Sequence, residues 1–595
     1  MRDQAVSDIP VWDLSDLYGG IEDPQITADF AEAGRLVAEL QALQGSLKAA
    51  GADASALGAA LHRAVGLYEA ASNRLGAIGA YAQLLAAVDR SDAVRARFLS
   101  DVQARIAAIA TPTLWLPLEI NGIGDAQLDA ALAVIPAAAR WRPWLRRIRA
   151  ERAHQLSPEL EQLMSERSPA ISQWVRLWDE TVAGIRAKVG RESLTLSQAL
   201  NRLSDPDTRR RRQAAGGLTA ALQSSAPVLS LCLNTLAQEK QVEDRWRRYP
   251  TPAAPRHLAN EADAEAVDAM VEAVVGACPR LSHRYYTLKA RAMGKSRLDH
   301  WDRNAPLDRA PPRAYSWSEG REIVLQAFEA LDPEMGRLAG EVFERPWIDA
   351  RPAPAKQSGA FCHPVTAERH PYVFLNWMGE RRDVLTLAHE LGHAVHMRLS
   401  APLGTLVSDT PLTLAETASI FAEGLVFDRL LAQADGAAAR ALVAGRIEDG
   451  LNTVVRQVAF HRFETRFHQA RGSSEVGLES LGRIWLDVMG ESLGPAVTLN
   501  PGYEVWWTCV SHFAHTPFYV YAYPFGDLLV AALMERRAAD PHSFAPLYRA
   551  LLAGGGSKTY VEALEPFGLD PRDPGFWRTG LSRLERLIDR FEQMI

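Results

Sequence analysis

A mostly α-helical fold is predicted by three features of the sequence. From about residue 25 to residue 290, segments rich in Ala, Leu, Arg and Glu carry apolar residues three and four apart, the period of an amphipathic helix. The same period returns after residue 383. Between them, residues 359–377 change to short runs of β-branched and aromatic residues. Because 595 residues are too many for one core, two or more lobes or one elongated helical body are expected.

The composition argues against several classes of partner. Hydrophobic residues make up 47% of the chain and charged residues 23%, and the net charge of -7 shows no basic excess that would attract nucleic acid. The opening MRDQAVSDIPVWDLSDLYGG has acidic residues where a secretory signal needs an apolar run. The most apolar helical run, residues 75–88, is shorter than the roughly 20 residues of a membrane span. We therefore predict a cytoplasmic protein without a nucleic-acid or membrane partner, and the sequence leaves its oligomeric state unknown.

The change of period predicts two adjacent strands. GAFCHPVT, which begins at Gly359, and PYVFLNW, which ends at Trp377, are separated by AERH. An exposed strand edge can pair with an extended peptide through its main chain, whereas a strand inside a small sheet cannot, and the sequence alone leaves both open. Helices are predicted at residues 383–399 and about 412–433, a loop at residues 300–320, and an aromatic interruption at residues 501–527.

The stretch HELGH, residues 389–393, carries the spacing of a zinc site. His389 and His393 are four residues apart, so on a helix they lie about 40° apart around the axis and about 6 Å along it, and both imidazoles can reach one ion. A catalytic zinc keeps three protein ligands and leaves one position for water. Glu390 lies about 100° from His389 and can reach such a water as a general base. The motif predicts one zinc ion per chain.

The third ligand must come from outside this motif. His396 lies seven residues beyond His389, about 10.5 Å along the axis, which is too far for one zinc on a straight helix. The next predicted helix carries Glu416 and Glu423 on one face. These two are also about 10.5 Å apart, so only one of them can be a ligand, and spacing does not choose between them.

Together these motifs resemble the oligoendopeptidase F and thimet oligopeptidase family of zinc metallopeptidases, most of all its oligoendopeptidase F branch. HELGH is followed by AETASIFAE, which begins 22 residues after His393. VWDLSDLYGG, GAFC, YVFLNW, DVLTLAHELGHAVH and HFAHTPFYVYAYPFG look like that branch, in the same order. The resemblance implies that Glu416 is the third ligand and that Glu423 belongs to the supporting shell. It also implies a two-lobed helical clamshell around a deep substrate channel.

The resemblance further implies residues that hold the substrate. His512 and Tyr523 would bind it and stabilise the reaction intermediate, with Tyr519 and Tyr521 behind them. The alternative is an aromatic cluster that only packs. On the strand pair, the resemblance favours an exposed edge with the backbone of Gly359 and Ala360 near the substrate.

These inferences predict a zinc-dependent endopeptidase that hydrolyses short unstructured oligopeptides. Residues 1–195 would form an N-terminal helical region, and residues 196–595 the zinc metallopeptidase region. One alternative is a dipeptidyl carboxypeptidase-type exopeptidase on the same scaffold, which needs a clamp for the substrate carboxylate. The other is a catalytically silent peptide-binding protein, against which Glu390 between the two histidines argues.

Overall fold

The computed structural model describes residues 8–307 and 313–595, and it confirms a mostly α fold, with 73% of residues in helices. The α-helices are Pro24–Gln41, Ser46–Ala50, Ala54–Val88, Ala93–Ala110, Trp115–Gly122, Asp125–Val134, Pro136–Ala139, Arg142–Ala150, Pro158–Gly184, Leu196–Asn201, Thr208–Arg247, Ala254–Ala259, Ala264–Ala277, Arg284–Ala292, Trp317–Leu331, Pro333–Glu344, Arg381–Ser400, Thr405–Ser408, Leu412–Ala415, Thr417–Ala432, Gly436–Gly450, Arg456–Arg471, Leu478–Leu493, His512–His515, Ala522–Ala539, Pro541–Ala553, Tyr560–Leu564 and Pro574–Glu592. The strands are Arg186–Val189, Glu192–Thr195, Leu298–Asp299, Ile348–Asp349, Phe361–His363, Tyr372–Phe374 and Val497–Thr498.

The chain forms two compact units, and each consists of three separate stretches of sequence. The first unit comprises Met1–Arg152, Pro312–Leu430 and Ala539–Gly568. The second comprises Ala153–Pro311, Leu431–Ala538 and Leu569–Ile595. The predicted boundary between residues 195 and 196 does not coincide with these units and, as a limit of the catalytic region, stays a prediction. The channel implied by the resemblance likewise stays a prediction.

In the first unit, the helix Arg381–Ser400, called here the HELGH helix, is packed on several sides. It contacts the helices Trp317–Leu331, Pro333–Glu344 and Pro541–Ala553. The carboxylate of Asp383 accepts hydrogen bonds from the backbone N–H groups of Met378 (2.7 Å) and Glu380 (2.9 Å), which satisfies donors at the helix start. The N-terminal end of the helix is thereby fixed against the preceding sheet.

That sheet has three strands and confirms the predicted strand pair. Tyr372–Phe374 is the central strand, parallel to Ile348–Asp349 and antiparallel to Phe361–His363. Phe361–His363, called here the edge strand, therefore lies at one side of the sheet. Buried Lys356 links the other two strands, because its Nζ donates to the Asp349 carboxylate at 2.5 Å and to the carbonyl of Leu375, just after the central strand, at 2.7 Å.

In the second unit, the aromatic interruption at residues 501–527 is confirmed as a series of short turns. They are the 3₁₀ turn Tyr503–Cys509, the short helix His512–His515 and the 3₁₀ turn Tyr519–Tyr521, which leads into the helix Ala522–Ala539. The predicted loop at residues 300–320 falls partly outside the described residues, because 308–312 are not described, and a helix begins at Trp317.

One described helix, Thr208–Arg247, is long and apolar enough to cross a membrane by length and composition. Core helices share that composition, and Arg211 near its start forms a buried ion pair with Asp302 at 2.6 Å. A bent pair, Ala93–Gly122 with Asp125–Val134, passes the same test if it is counted as one span. The cytoplasmic location and the lack of membrane partners remain predictions.

Candidate active site

The HELGH helix presents its two histidines toward one carboxylate. The ring centroids of His389 and His393 lie 5.0 Å apart. His389 Nε2 is 3.3 Å and His393 Nε2 is 3.5 Å from Glu416 Oε2. Among the described residues, these three form the one group whose ligand atoms, all within 4.8 Å of one another, could hold a metal ion.

Glu416 occupies a break in the helical structure. It lies between the helices Leu412–Ala415 and Thr417–Ala432, with φ -83° and ψ 0°. Its Oε2 accepts a hydrogen bond of 2.7 Å from the Ser419 hydroxyl, one turn further on. The carboxylate is therefore held in place by the helix that follows it, independently of the histidines.

The close approach of the two helices depends on Gly392, inside HELGH. A Cβ at this position would lie 2.6 Å from the Ala418 carbonyl oxygen and 2.7 Å from the Ser419 Cα. Both distances are far inside ordinary van der Waals contact. A side chain at residue 392 would therefore separate the histidine-bearing helix from the segment that carries Glu416.

The distance of each histidine nitrogen from Glu416 fits a tetrahedral zinc ion. With zinc-to-ligand distances of about 2.0 to 2.1 Å, neighbouring donors of a tetrahedron are about 3.3 to 3.4 Å apart. The observed separations from Glu416 Oε2, 3.3 and 3.5 Å, match this value and are longer than good hydrogen bonds. Two imidazoles and one carboxylate are also a donor set that catalytic zinc uses.

Charge favours a cation at the same place. Burial alone would lower the pKa of His389, but Glu416 and Glu423 outweigh it and raise this pKa to about 10. Burial acts against ionisation of Glu416 as well, yet His389 and His393 bring the pKa of that carboxyl down to about 2. The carboxylates therefore stabilise positive charge beside His389 Nε2.

Glu423 and His396 lie outside this set of donors. The Glu423 carboxylate faces the other nitrogen of His389, with Oε2 at 3.6 Å from Nδ1, a position that can orient the imidazole. His396 is buried, and its Nε2 is 3.4 Å from the Thr410 hydroxyl. Spacing alone does not choose between Glu416 and Glu423 as the third ligand. In the structure, Glu416 lies on the side where both Nε2 atoms meet.

Glu390 is a buried carboxyl group beside the metal-binding candidates. Burial raises its pKa to about 7, aided by the charge of Glu416, whereas His389 and the backbone N–H of Cys362 lower it. Cys362 is the middle residue of the edge strand. The predicted general base therefore lies beside the strand that follows Gly359 and Ala360, the predicted substrate contacts.

The backbone of Gly359 and Ala360 leads directly into the edge strand. Gly359 is exposed with φ +87°, and open space surrounds the position of its missing Cβ. The Asn376 side chain donates hydrogen bonds to the carbonyls of Gln357 (2.9 Å) and Gly359 (3.1 Å). This tether fixes the approach to the edge strand while leaving Gly359 accessible.

In the second unit, three of the predicted substrate residues form one cluster. His512 Nε2 and the Tyr523 hydroxyl are 3.0 Å apart. The Tyr519 ring lies 6.0 Å from His512 and 5.4 Å from Tyr523 between centroids. Burial, with a smaller contribution from His515, lowers the pKa of His512 below its usual value and so favours the neutral imidazole.

Tyr521 points away from this cluster into the interior. It is fully buried, and its hydroxyl lies 3.0 Å from both His257 Nδ1 and Asn260 Nδ2. Its assignment as a substrate contact stays a prediction. The burial favours the packing role that the sequence had left as the alternative.

Comparison with known proteins identifies the family. The family model described as peptidase family M3 matches residues 322–582, and the model described as Oligopeptidase F matches residues 119–186. The chain belongs to peptidase family M3. It is therefore a metallopeptidase, a hydrolase of peptide bonds.

Relatives of this M3 peptidase span most of its length. Oligopeptidase PepF of Bacillus subtilis (strain 168) is 22% identical over 98% of this chain and 87% of its own. An oligoendopeptidase F homolog of Lactococcus lactis subsp. lactis is 27% identical over 60% of this chain and 61% of its own. Oligoendopeptidase-F from Enterococcus faecium, a solved structure, shares the fold with a TM-score of 0.71 at 20% identity, covering 96% of this chain and 99% of its own. A chain from Chlamydophila abortus reaches 0.87 at 21% identity and covers 99% of both.

Sequence reasoning missed the supporting residues of this M3 peptidase. The motif alone does not predict the role of Gly392, although a glycine between two ligands is compatible with a close approach of another backbone. Ser419 lies three residues after Glu416, and that spacing on a helix is also readable in advance. No sequence pattern predicts that the Cys362 backbone lies near Glu390.

Proposed function

We propose that this M3 peptidase is a zinc-dependent endopeptidase of short unstructured oligopeptides, with one zinc ion held by His389, His393 and Glu416. The observation that carries the proposal is the convergence of these three side chains, with both histidine Nε2 atoms at 3.3 and 3.5 Å from Glu416 Oε2. The names of the relatives, oligopeptidase and oligoendopeptidase, agree with the substrate class.

A zinc ion bound there supplies a Lewis acid that lowers the pKa of water and polarises a peptide carbonyl. Glu390 accepts the proton of the attacking water and returns it to the nitrogen of the leaving amine. Its buried position suits this role, because a carboxyl with a pKa of about 7 can both accept and donate a proton near neutral pH. Glu423 keeps the His389 imidazole in its orientation.

Substrate contacts complete the proposal. An extended peptide would pair with the edge strand through the backbone of Gly359 and Ala360, which recognises no particular side chain. His512 and Tyr523 would donate hydrogen bonds to the developing oxyanion, with Tyr519 against the peptide. Tyr521 would support this segment from the interior.

The decisive experiment compares cleavage of a quenched fluorescent oligopeptide before and after chelation, together with bound metal. We expect activity to disappear with the metal and to return when zinc is restored. Glu390→Gln should retain zinc and lose nearly all turnover, whereas Glu329→Gln, an exposed glutamate of the same unit, should behave like the native protein. Undiminished cleavage after metal removal would refute the proposal.

The exopeptidase alternative has its own test. Mass spectrometry of the fragments from peptides with a free and with a blocked C-terminus separates the two specificities. An endopeptidase cleaves both peptides internally. Release of dipeptides from the free peptide alone would instead establish a dipeptidyl carboxypeptidase.

A further inference from the structure

The backbone that leads into the predicted substrate tyrosines has an unusual conformation. Phe518, immediately before Tyr519, has φ +61° and ψ 11°, in the left-handed region that residues with a bulky side chain rarely adopt. Because this region is unfavourable for phenylalanine, the surroundings must hold it there. The 3₁₀ turn Tyr519–Tyr521 comes directly after this residue, and the helix Ala522–Ala539, which carries Tyr523, comes after that turn.

The group that holds this backbone is a buried carboxyl. Glu464, on the helix Arg456–Arg471, is 1% exposed, and its Oε1 accepts a hydrogen bond of 2.7 Å from the Phe518 N–H. Its other oxygen is buried and has no hydrogen-bond partner among the described residues. A buried carboxyl with one unsatisfied oxygen is costly, so packing alone does not explain a glutamate at this position.

Other contacts hold the two ends of the same turn. Arg256 Nε lies 3.4 Å from the Pro517 carbonyl, and Tyr521 is fixed through its hydroxyl by Asn260. Glu464 acts between them, on the residue with the strained backbone.

We propose that Glu464 is a positioning residue, which holds Phe518 in its left-handed conformation and thereby sets Tyr519 and Tyr523 for peptide turnover. The inference rests on the proposed function in one respect, the role of those tyrosines. Burial raises the pKa of Glu464 to about 8, so the group that accepts from Phe518 at neutral pH is a neutral carboxyl. A glutamine amide can replace that acceptor, whereas the thioether of a methionine of similar length is only a weak acceptor.

The test uses three variants of the full-length protein. Glu464→Met should lower kcat about 30- to 100-fold with little change in KM, because a misplacement near 1 Å costs on the order of 100-fold in rate. Glu464→Gln should stay within about five-fold of the native kcat, because it keeps the acceptor. The matched control is Asn234→Leu. Asn234 is buried in the same unit, and its side-chain oxygen accepts the backbone N–H of Val476 at 2.9 Å, far from the tyrosines in sequence.

Amide hydrogen exchange of residues 516–521 provides a readout that is independent of turnover. We expect this segment to lose protection in Glu464→Met, and to keep it in Glu464→Gln and Asn234→Leu. Unchanged protection or a native kcat in Glu464→Met would overturn the proposal, and so would an equal kcat loss in the glutamine variant. If Tyr523→Phe keeps the native kcat, the proposed role of the tyrosine fails instead, whatever the exchange of residues 516–521.

Discussion

Substitution of Gly392 by alanine should dismantle the metal centre without touching a ligand. The new Cβ would lie 2.6 Å from the Ala418 carbonyl oxygen, about 0.8 Å inside the 3.4 Å at which ordinary contact begins. Neither side can yield cheaply, because both contacting groups are backbone. The segment that carries Glu416 must therefore move away from His389 and His393 by a distance of this size.

The expected effects follow from that displacement. Metal sites tolerate deviations of about 0.2 Å in ligand distance, so a shift of about 0.8 Å should weaken zinc binding by at least 10- to 100-fold. Activity at limiting zinc should fall on the order of 100-fold. Overpacking should also cost about 1 to 3 kcal/mol of stability.

The assay measures zinc affinity by competition with a chelator, kcat/KM on a fluorescent oligopeptide and the melting temperature. Gly340→Ala is the matched control, because Gly340 is a helical glycine of the same unit whose Cβ would meet nothing within 4 Å. This variant should keep zinc and activity, and gain up to about 1 kcal/mol of stability from helix propensity. Native zinc affinity in Gly392→Ala would refute the packing argument.

Three further predictions concern individual side chains. Glu416→Gln should lose zinc altogether. Glu423→Gln should retain zinc with an affinity about 10- to 100-fold lower, as expected for a residue that only orients a ligand. Equal losses of zinc affinity in a metal titration of the two variants would contradict the distinction. Tyr523→Phe should lower kcat about 10- to 1000-fold with zinc content unchanged, measured by steady-state kinetics at saturating metal. The native protein should lose stability relative to Glu464→Gln as the pH rises from about 4.5 to 8, because the unfolded glutamate ionises over this range while burial keeps the folded one protonated. At about 1.4 kcal/mol for each pKa unit the loss is at most about 5 kcal/mol, and melting temperatures with a constant difference across this range would contradict it.

The parts of the site that local sequence encodes were predictable. The spacing of His389 and His393 fixes their common side on a helix, and the change of period at residues 359–377 marks the strand pair whose pairing is confirmed. Both depend only on residues close together in the chain. The same holds for the apolar periodicity that predicts a mostly α fold.

The rest depends on packing between distant segments. Which glutamate meets the histidines follows from the break at Glu416 and from the contact at Gly392, and neither is set by the seven-residue spacing to Glu423. The burial of Tyr521 depends on Asn260, 261 residues earlier in the chain. A pattern of alternating tyrosines does not reveal such a partner.

The surroundings of the histidine pair come from segments that lie far apart in the chain. The HELGH helix packs against Pro541–Ala553, and the Tyr548 hydroxyl donates to the Thr417 carbonyl at 3.0 Å, beside Glu416. The first unit is completed only by residues up to Gly568. A chain that ends before Pro541 therefore carries both histidines and Glu416 but lacks this support. We expect peptidase activity to require the Pro541–Ala553 segment as well as the HELGH helix.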